Sequence, residues 1–556
     1  MNEIGLIWRT VRHLHSRQIR YQVINRLRGR AQLRLPDSAP VGYFLAVPEA
    51  DKPVSWVNGT FTFLNLPVSF DEEPDLRHEG VTTAASAGES AVDVLSPQGV
   101  SPDWNFADNG KLWTYNLNYF DFLNQPGLTA DEGLALIQAF IGRTDTLKDG
   151  LEPYPASLRI INWVQFLSRN RIQDEEINRH LFAQTDLLRR RLEYHLAGNH
   201  LLENGFALLI GALYFRQADW FQQAARLTRA ELEIQVLADG GHDERSPMYH
   251  QILLDRLLDV VLALQADNWH EDSELVDFLV EKGRQMLGWL EAVTFANGDV
   301  PMVNDAAWDI APTTDQLREK ASLVLAAGAG PVSKTALGQS GYRMLRLPRY
   351  ELLADVGAVG PDHQPGHAHA DTLSFVLYVD GQPVIVDSGT STYQISPRRT
   401  WERSTTAHNT VEVGGQDSSE VWGGFRVGRR ARVTLLADTD TVLAARHDGY
   451  RHLGITHERS WDLRPGEIRM NDLITGSSTC AISGMARLYI HPAISVRLAG
   501  DTALVGPLRL NFRSDRPVVP TLSQYDMATG FNQWQSGSCL SVLFVNRLHT
   551  QATLIE

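Results

Sequence analysis

The period of apolar positions changes twice along the chain. From about residue 111 to 330, apolar residues recur at helical spacing in one amphipathic segment after another, separated by short Gly, Asn or Pro breaks. In "SPMYHQILLDRLLDVVLALQ", Ile252, Leu253, Leu257, Val260, Val261 and Leu264 form the stripe and Arg256 interrupts its edge. Ser246 is the predicted N-cap, with Pro247 at the first helical position. From 331 to 556 the runs become short, β-branched and alternating, as in "LSFVLYVDGQPVIVDSG", which predicts an antiparallel β-sandwich of two sheets. A helical part followed by a β part means separate domains rather than interleaved βαβ units. Repeated helical hairpins suggest a toroid of paired helices. Residues 41–110, with runs such as "FTFLNLPVSF" between Gly, Pro, Ser and Asp, predict an irregular connector with short strands, and "TTAASAGES" a loose loop. Residues 1–40 read as a basic amphipathic helical segment, with Ile7, Val11, Leu14, Ile19 and Ile24 among arginines. It is expected to pack on the protein's own acidic body, with a peripheral membrane contact as the second reading.

Composition narrows the function. The 556 residues, 43% hydrophobic and 21% charged, are ordinary for a multidomain globular chain. A net charge of −15 excludes a general nucleic-acid binder, which needs a basic surface. With only Cys480 and Cys539, neither a disulfide framework nor a thiolate zinc cluster can be built. Arg9, Arg12 and His13 break the opening segment early, so no signal peptide is expected. No stretch reaches the ~18 apolar residues of a spanning helix. A cytoplasmic location is the default expectation, with periplasmic or membrane-peripheral places left open.

Three polar clusters then stand out. In "GHAHADTLSF", His367, His369 and Asp371 alternate, so an extended backbone puts them on one face. "YHLAGNHLLENG" places Asn199 and His200 at a helix start, where free N–H groups and the positive dipole end favour an anion. "LADGGHDERSPMYHQ" carries His242 and Glu244 on a Gly-Gly loop and Tyr249 in the next helix's first turn. Each has an innocent alternative as a cap, a packed tyrosine or a solvated histidine. Together they put an amide, imidazoles and a phenol at one end of a helical barrel.

These stretches, with "WTYNLNYFDFL", "LRIINW", "NGDVPMVND", "HAHADTLSFVLYVDGQPVIVDSGTSTY" and "RSTTAHNTVEV", make the chain resemble the heparinase II/III family of polysaccharide lyases, which includes alginate lyases. The resemblance runs from about Trp113 to Val413. It implies an incomplete (α/α) toroid followed by an antiparallel β-sandwich, and β-elimination at a uronic acid of an acidic polysaccharide. Asn199 and His200 would neutralise the substrate carboxylate. Tyr249 would protonate the leaving oxygen, with His367 its partner across the cleft and Tyr393 a further acid or substrate contact. The base stays open, because syn and anti geometries use opposite faces of the sugar.

The resemblance also implies a structural zinc ion on His369, Asp387 and His408, a suitable donor set. If Asp380 and Gly381 make a tight turn, bringing Asp387 to His369 requires a bend near Ala370 to Thr372. Asp371 has no assigned role. Arg159, Arg399 and Arg403 are candidate substrate clamps, and Trp113 and Tyr115 candidate sugar platforms. One rival is a catalytically silent glycan-binding or exopolysaccharide-assembly protein. Others are a uronate epimerase and a glycoside hydrolase, which would need paired carboxylates such as Glu203 with Glu244 or Asp239. The oligomeric state is not legible.

Overall fold

The computed structural model describes residues 3–70, 102–270, 272–325, 337–476 and 481–555. "TTAASAGES" and Cys480, with any pairing to Cys539, lie outside the described residues. In the helical part, Lys111–Tyr119, Pro153–Asn170, Gly198–Phe215, Pro247–Ala266 and Thr314–Val324 touch one another in succession as an inner row. Ala130–Ile141 packs on Glu175–Arg190, and Ala218–Gln235 on Ser273–Val293, as an outer row. This is an incomplete (α/α) toroid. The helix Gly198–Phe215 explains its own position: apolar nearly all round, it is buried at every residue except His200. Ser246 caps Pro247–Ala266 through the Tyr249 amide, with Pro247 in the first turn, as the sequence predicts.

Two eight-stranded antiparallel sheets follow. One runs, in spatial order, Val433–Asp438, Val442–His447, Ile455–Arg464, Glu467–Gly476, Arg547–Leu554, Leu508–Ser514, Thr502–Val505 and Val496–Ala499. The other includes Tyr342–Leu347, Tyr350–Asp355, Phe375–Val379 and Gln382–Ile385, continuing to Ser483–Ile490 and Gln533–Val545. Its strand Phe375–Val379 is buried at every position. Period two divides the labour: Phe375, Leu377 and Val379 enter the sandwich core, while Val376 and Tyr378 join the core of the helices. That sheet therefore has two buried faces, which is why "LSFVLYV" reads as a continuous apolar run.

Asp380 and Gly381, both at positive φ, make the expected two-residue turn, and the register shifts between Leu377 and Tyr378. The extended reading of His367 to Asp371 is corrected, because this segment is a loop and the strand begins only at Phe375. Ser374 N–H donates to Asp371 O at 2.8 Å and Leu373 adopts φ 63°, giving the chain its bend after the histidines. The connector holds a three-stranded sheet over residues 56–69. The opening segment forms two helices, Glu3–Val11 and Ser16–Leu27, and no helix among the described residues is long and apolar enough to cross a membrane.

Leu209, fully buried in the central helix, tests this architecture. Leu209→Ala is expected to cost about 2–5 kcal/mol, read as an earlier urea midpoint of the far-ultraviolet circular dichroism transition. An unchanged midpoint would mean that the helix is not the core of the ring.

Candidate active site

Asn199 and His200 occupy the first turn of the central helix, which the chain enters through Ala197 and Gly198, both at positive φ. A methyl group at Gly198 would collide with the Glu244 carboxylate, so glycine is required there. Glu244 accepts from the Asn199 amide N at 2.8 Å and from Nδ2 at 2.7 Å. The positive end of this helix is thus taken by a carboxylate of the protein itself, not left open for a substrate anion. Burial works against that charge, but His367, His242 and the Asn199 bonds hold the carboxyl below its ordinary range. Asn199 Oδ1 is buried without a partner. His200, tilted against the Tyr154 ring, faces Glu193 through Nδ1 at 3.1 Å. Burial opposes its protonation, yet Glu193 outweighs burial and raises its pKa.

Tyr249, in the first turn of the next inner helix, lies over the His367 ring with centroids 4.0 Å apart. Its hydroxyl donates to the Tyr393 hydroxyl at 3.2 Å. Burial, against the Tyr393 hydrogen bond, raises the Tyr249 pKa, so the phenol is neutral near pH 7. Asn199 Nδ2 stands 3.5 Å from His367 Nε2, and Glu244 Oε2 stands 3.4 Å from the same nitrogen. Asn199, Tyr249, His367 and Tyr393 therefore meet at one place. His200, Tyr249, His367 and Tyr393 remain partly accessible while their supports are buried.

The hub of the cluster is Asp305, which the sequence reading did not single out although it closes "NGDVPMVND". Its fully buried carboxylate contacts His367 Nδ1 at 3.0 Å, His369 Nε2 at 2.9 Å and the Arg399 guanidinium, whose Nη2 is 2.6 Å away. Burial would protonate it, but Arg399 foremost and then the two imidazoles hold it ionised, well below the usual carboxylate range. An ionised carboxylate only accepts, so His367 donates to Asp305 from Nδ1 and turns Nε2 toward Asn199 and Glu244. By the same logic His369 is protonated on Nε2, and its Nδ1 lone pair is buried without a partner.

His408 mirrors this. Its Nδ1 bonds Asp387 Oδ2 at 2.8 Å and its Nε2 is a second buried orphan. The two rings lie 5.2 Å apart, close to the ~5 Å expected for two imidazoles on one tetrahedral ion. Asp371 Oδ2 is a third buried orphan. The donor chemistry fits a zinc ion, although among the described residues no group of three His, Cys, Asp or Glu is already gathered as a ligand set. Asp387 differs from its expected place as a ligand: its oxygens serve His408 and the Gly389 amide, so it orients an imidazole.

Several candidate contacts are corrected. Trp113 is fully buried, with Nε1 bonded to Leu66 O and its ring packed on Phe63 and Phe106, so it cannot stack on a sugar. Arg159 is buried on Gln184 and Asn118 O. Arg399 spends its guanidinium on Asp305 and Gly424 O, and Arg403 bonds Ala368 O, so both are braces of the histidine loop. His242 is buried on Gln235, and burial lowers it to about 4. Glu203 is buried without a hydrogen-bond partner, and burial, partly offset by Arg256, raises it to about 7. Asp239 is consumed by Ser340 and Gly338. Tyr115 stays half-exposed on Glu152 beside Tyr119. An aromatic the sequence reading missed, the exposed Phe425, packs edge-on to Tyr393 and His367. Only its "GGF" turn hinted at an exposed ring.

Two family descriptions match consecutive stretches: "Heparinase II/III N-terminus" over residues 156–324 and "Heparinase II/III-like, C-terminal" over 329–537. A "Heparin-sulfate lyase" of Pedobacter heparinus is 22% identical over 338 residues, covering 55% of this chain and 48% of its own. "FtsZ-localized protein C" of Caulobacter vibrioides is 29% identical over 302 residues, 49% of each chain. This chain thus spans about half the length of these curated relatives. Among solved structures, "Crystal Structure of Heparinase III" superposes with a TM-score of 0.65 at 16% identity, covering 100% of this chain and 92% of that one. The two matched stretches together span most of the chain, whose toroid and sandwich superpose on that structure, and the chain belongs to the heparinase II/III family.

Proposed function

We propose that this protein is a polysaccharide lyase that cleaves a uronic-acid-containing chain by β-elimination. The observation that carries the reading is the His367 imidazole, anchored by Asp305 on one nitrogen while the other faces Asn199, with the neutral Tyr249 phenol tilted against its ring. The substrate carboxylate lies against His200 and the second Nδ2 hydrogen of Asn199, the one not given to Glu244, and these donors stabilise the charge that develops when the C5 proton leaves. His367 Nε2 takes that proton, and the imidazolium formed is stabilised between Asp305 and Glu244. The C5 electron pair becomes the C4–C5 double bond, the C4–O bond breaks, and Tyr249 protonates the departing oxygen. Solvent exchange resets both groups. A hydrolase finds no support here, since Glu203, Glu244 and Asp239 are all buried or committed to other bonds.

A structural zinc ion belongs to the same proposal, held by His369 Nδ1 and His408 Nε2, with Asp387 orienting His408. Its role is to clamp the loop that carries His367. A silent glycan-binding or assembly protein on the same fold is the second reading, because one relative is named for its localisation and not for a reaction.

Incubation with assorted uronic-acid polymers separates these readings through the ultraviolet absorbance of the new double bond. Tyr249→Phe is expected to keep the fold and polymer affinity while elimination falls by about 10²-fold to 10⁴-fold. Asn199→Ala and His200→Ala are each expected to lose about 10²-fold. Near-normal elimination in Tyr249→Phe would defeat the mechanism, and reducing ends without absorbance would indicate a hydrolase.

The raised pKa of His200 gives a pH test. Its cation is favoured by Glu193, so it persists above the ordinary histidine value and is lost as pH rises through the raised one. Glu193→Gln should lower that pKa and move the alkaline limb of kcat/KM to lower pH. An alkaline limb unmoved by the substitution would show that His200 does not act as a cation.

For the metal, elemental analysis of protein purified without added zinc should find about one zinc per chain. His408→Ala should lose it together with thermal stability. Zinc-free protein of full stability would remove the site.

A further inference from the structure

The two opening helices are docked with their polar side inward. Arg9 pairs with Glu420 at 2.6 Å, the Trp422 indole N–H donates to Thr10, and Arg17 pairs with Glu231. Gln18 is buried and bonds Leu196 O and His363 O, and His15 stacks on His363. Their apolar side faces solvent. On Glu3–Val11 the exposed residues are Ile4 (77%), Ile7, Trp8 (60%) and Val11, and on Ser16–Leu27 they are Ile19, Val23 and Leu27 (82%). The spacings i, i+3, i+4, i+7 and i, i+4, i+8 make each set a continuous helical stripe. A helix packed on a globular body buries such a stripe. Here ion pairs and amide bonds hold the helices in place while the apolar faces stay available.

Charge points to what covers them. The first 30 residues carry seven arginines and one glutamate, in a chain of net charge −15. Arg12, Arg20, Arg26 and Arg30 are exposed around the stripes. Two such basic faces repel each other, which disfavours a symmetric pairing of two copies. An anionic lipid surface satisfies both features, since its acyl boundary accepts Ile, Trp and Leu and its headgroups accept arginine.

We propose that residues 3–27 form a peripheral membrane-binding face that seats the protein on anionic bilayers, with the apolar stripes in the interfacial layer and the arginines at the headgroups. The reading is independent of the catalytic proposal, because no residue of this face belongs to the cleft.

Cosedimentation of the full chain with vesicles of phosphatidylcholine alone, or with about one-third phosphatidylglycerol, tests it. The chain should pellet with the anionic vesicles, and raised salt should weaken that binding. The combined Arg12→Glu, Arg20→Glu, Arg26→Glu variant should bind on the order of a hundredfold more weakly. Ile4→Ser with Trp8→Ser should lose binding while the melting temperature is kept, since these side chains make few contacts in the fold. Three outcomes would overturn the proposal: equal recovery with both vesicle types, anionic binding unchanged in both variants, or no vesicle binding together with a concentration-dependent dimer that the Ile4→Ser, Trp8→Ser variant abolishes.

Discussion

The candidate site depends on one buried charge. The Asp305 carboxylate sits at the junction of the helical ring and the sandwich, fully removed from solvent. Desolvating a carboxylate costs several kcal/mol, and only well-placed partners offset it. Arg399 supplies the opposite charge, and His367 and His369 each bring one N–H. Through these bonds one ion orients both imidazoles, holding His367 at the cleft and His369 beside His408. The neighbouring backbone is tied to the same point, because Ser246 Oγ donates to Asp305 O and Asp305 N–H donates to His367 O. Removing the carboxylate would leave Arg399 buried without its counter-charge and free two histidine rings at once.

Around this hub the chain departs from ordinary backbone conformations. Ala197, Arg245, Asn304 and Leu373 all adopt positive φ without being glycine. Each lies within two residues of a polar group of the site: Asn199, Glu244, Asp305 and Asp371 respectively. Non-glycine residues held in the left-handed region cost free energy that the surrounding structure has to offset. Their clustering here, on both sides of the domain junction, marks the place where side-chain position overrides local preference. The two-sided sheet makes the junction rigid, since alternate residues of Phe375–Val379 are packed into each core. The loop carrying His367 and His369 leads directly into that strand.

The arginines show how function and support exchange places. The proposed acidic substrate calls for arginines lining the cleft, and Arg159, Arg399 and Arg403 are the candidates that the sequence offers. All three are buried and bonded to protein groups. Arg399 and Arg403 hold the histidine loop from behind, and the basic group left partly accessible in the cleft is His200, whose protonated form Glu193 favours against burial. On the opening segment, by contrast, Arg12, Arg20, Arg26 and Arg30 are exposed.

Sequence periodicity determined the fold class, because helical and extended spacing are local properties that burial of one face imposes directly. The Ser246 cap, the Asp380-Gly381 turn and the helix starts carrying Asn199 and Tyr249 were legible for the same reason. The resemblance added which polar residues belong together. Neither reached Asp305, because a buried carboxylate and a solvated one look identical in sequence; its partners lie some 60 to 95 residues away and are brought to it only by the fold. Nor could sequence tell that Trp113 packs in the core while Phe425 lies open, since an aromatic side chain suits either environment. The opening helices show the limit most plainly. Their amphipathic pattern fixes that two faces exist, whereas which face turns inward was decided by Glu420, Glu231 and the carbonyl of His363, acceptors that tertiary structure alone places opposite Arg9, Arg17 and Gln18.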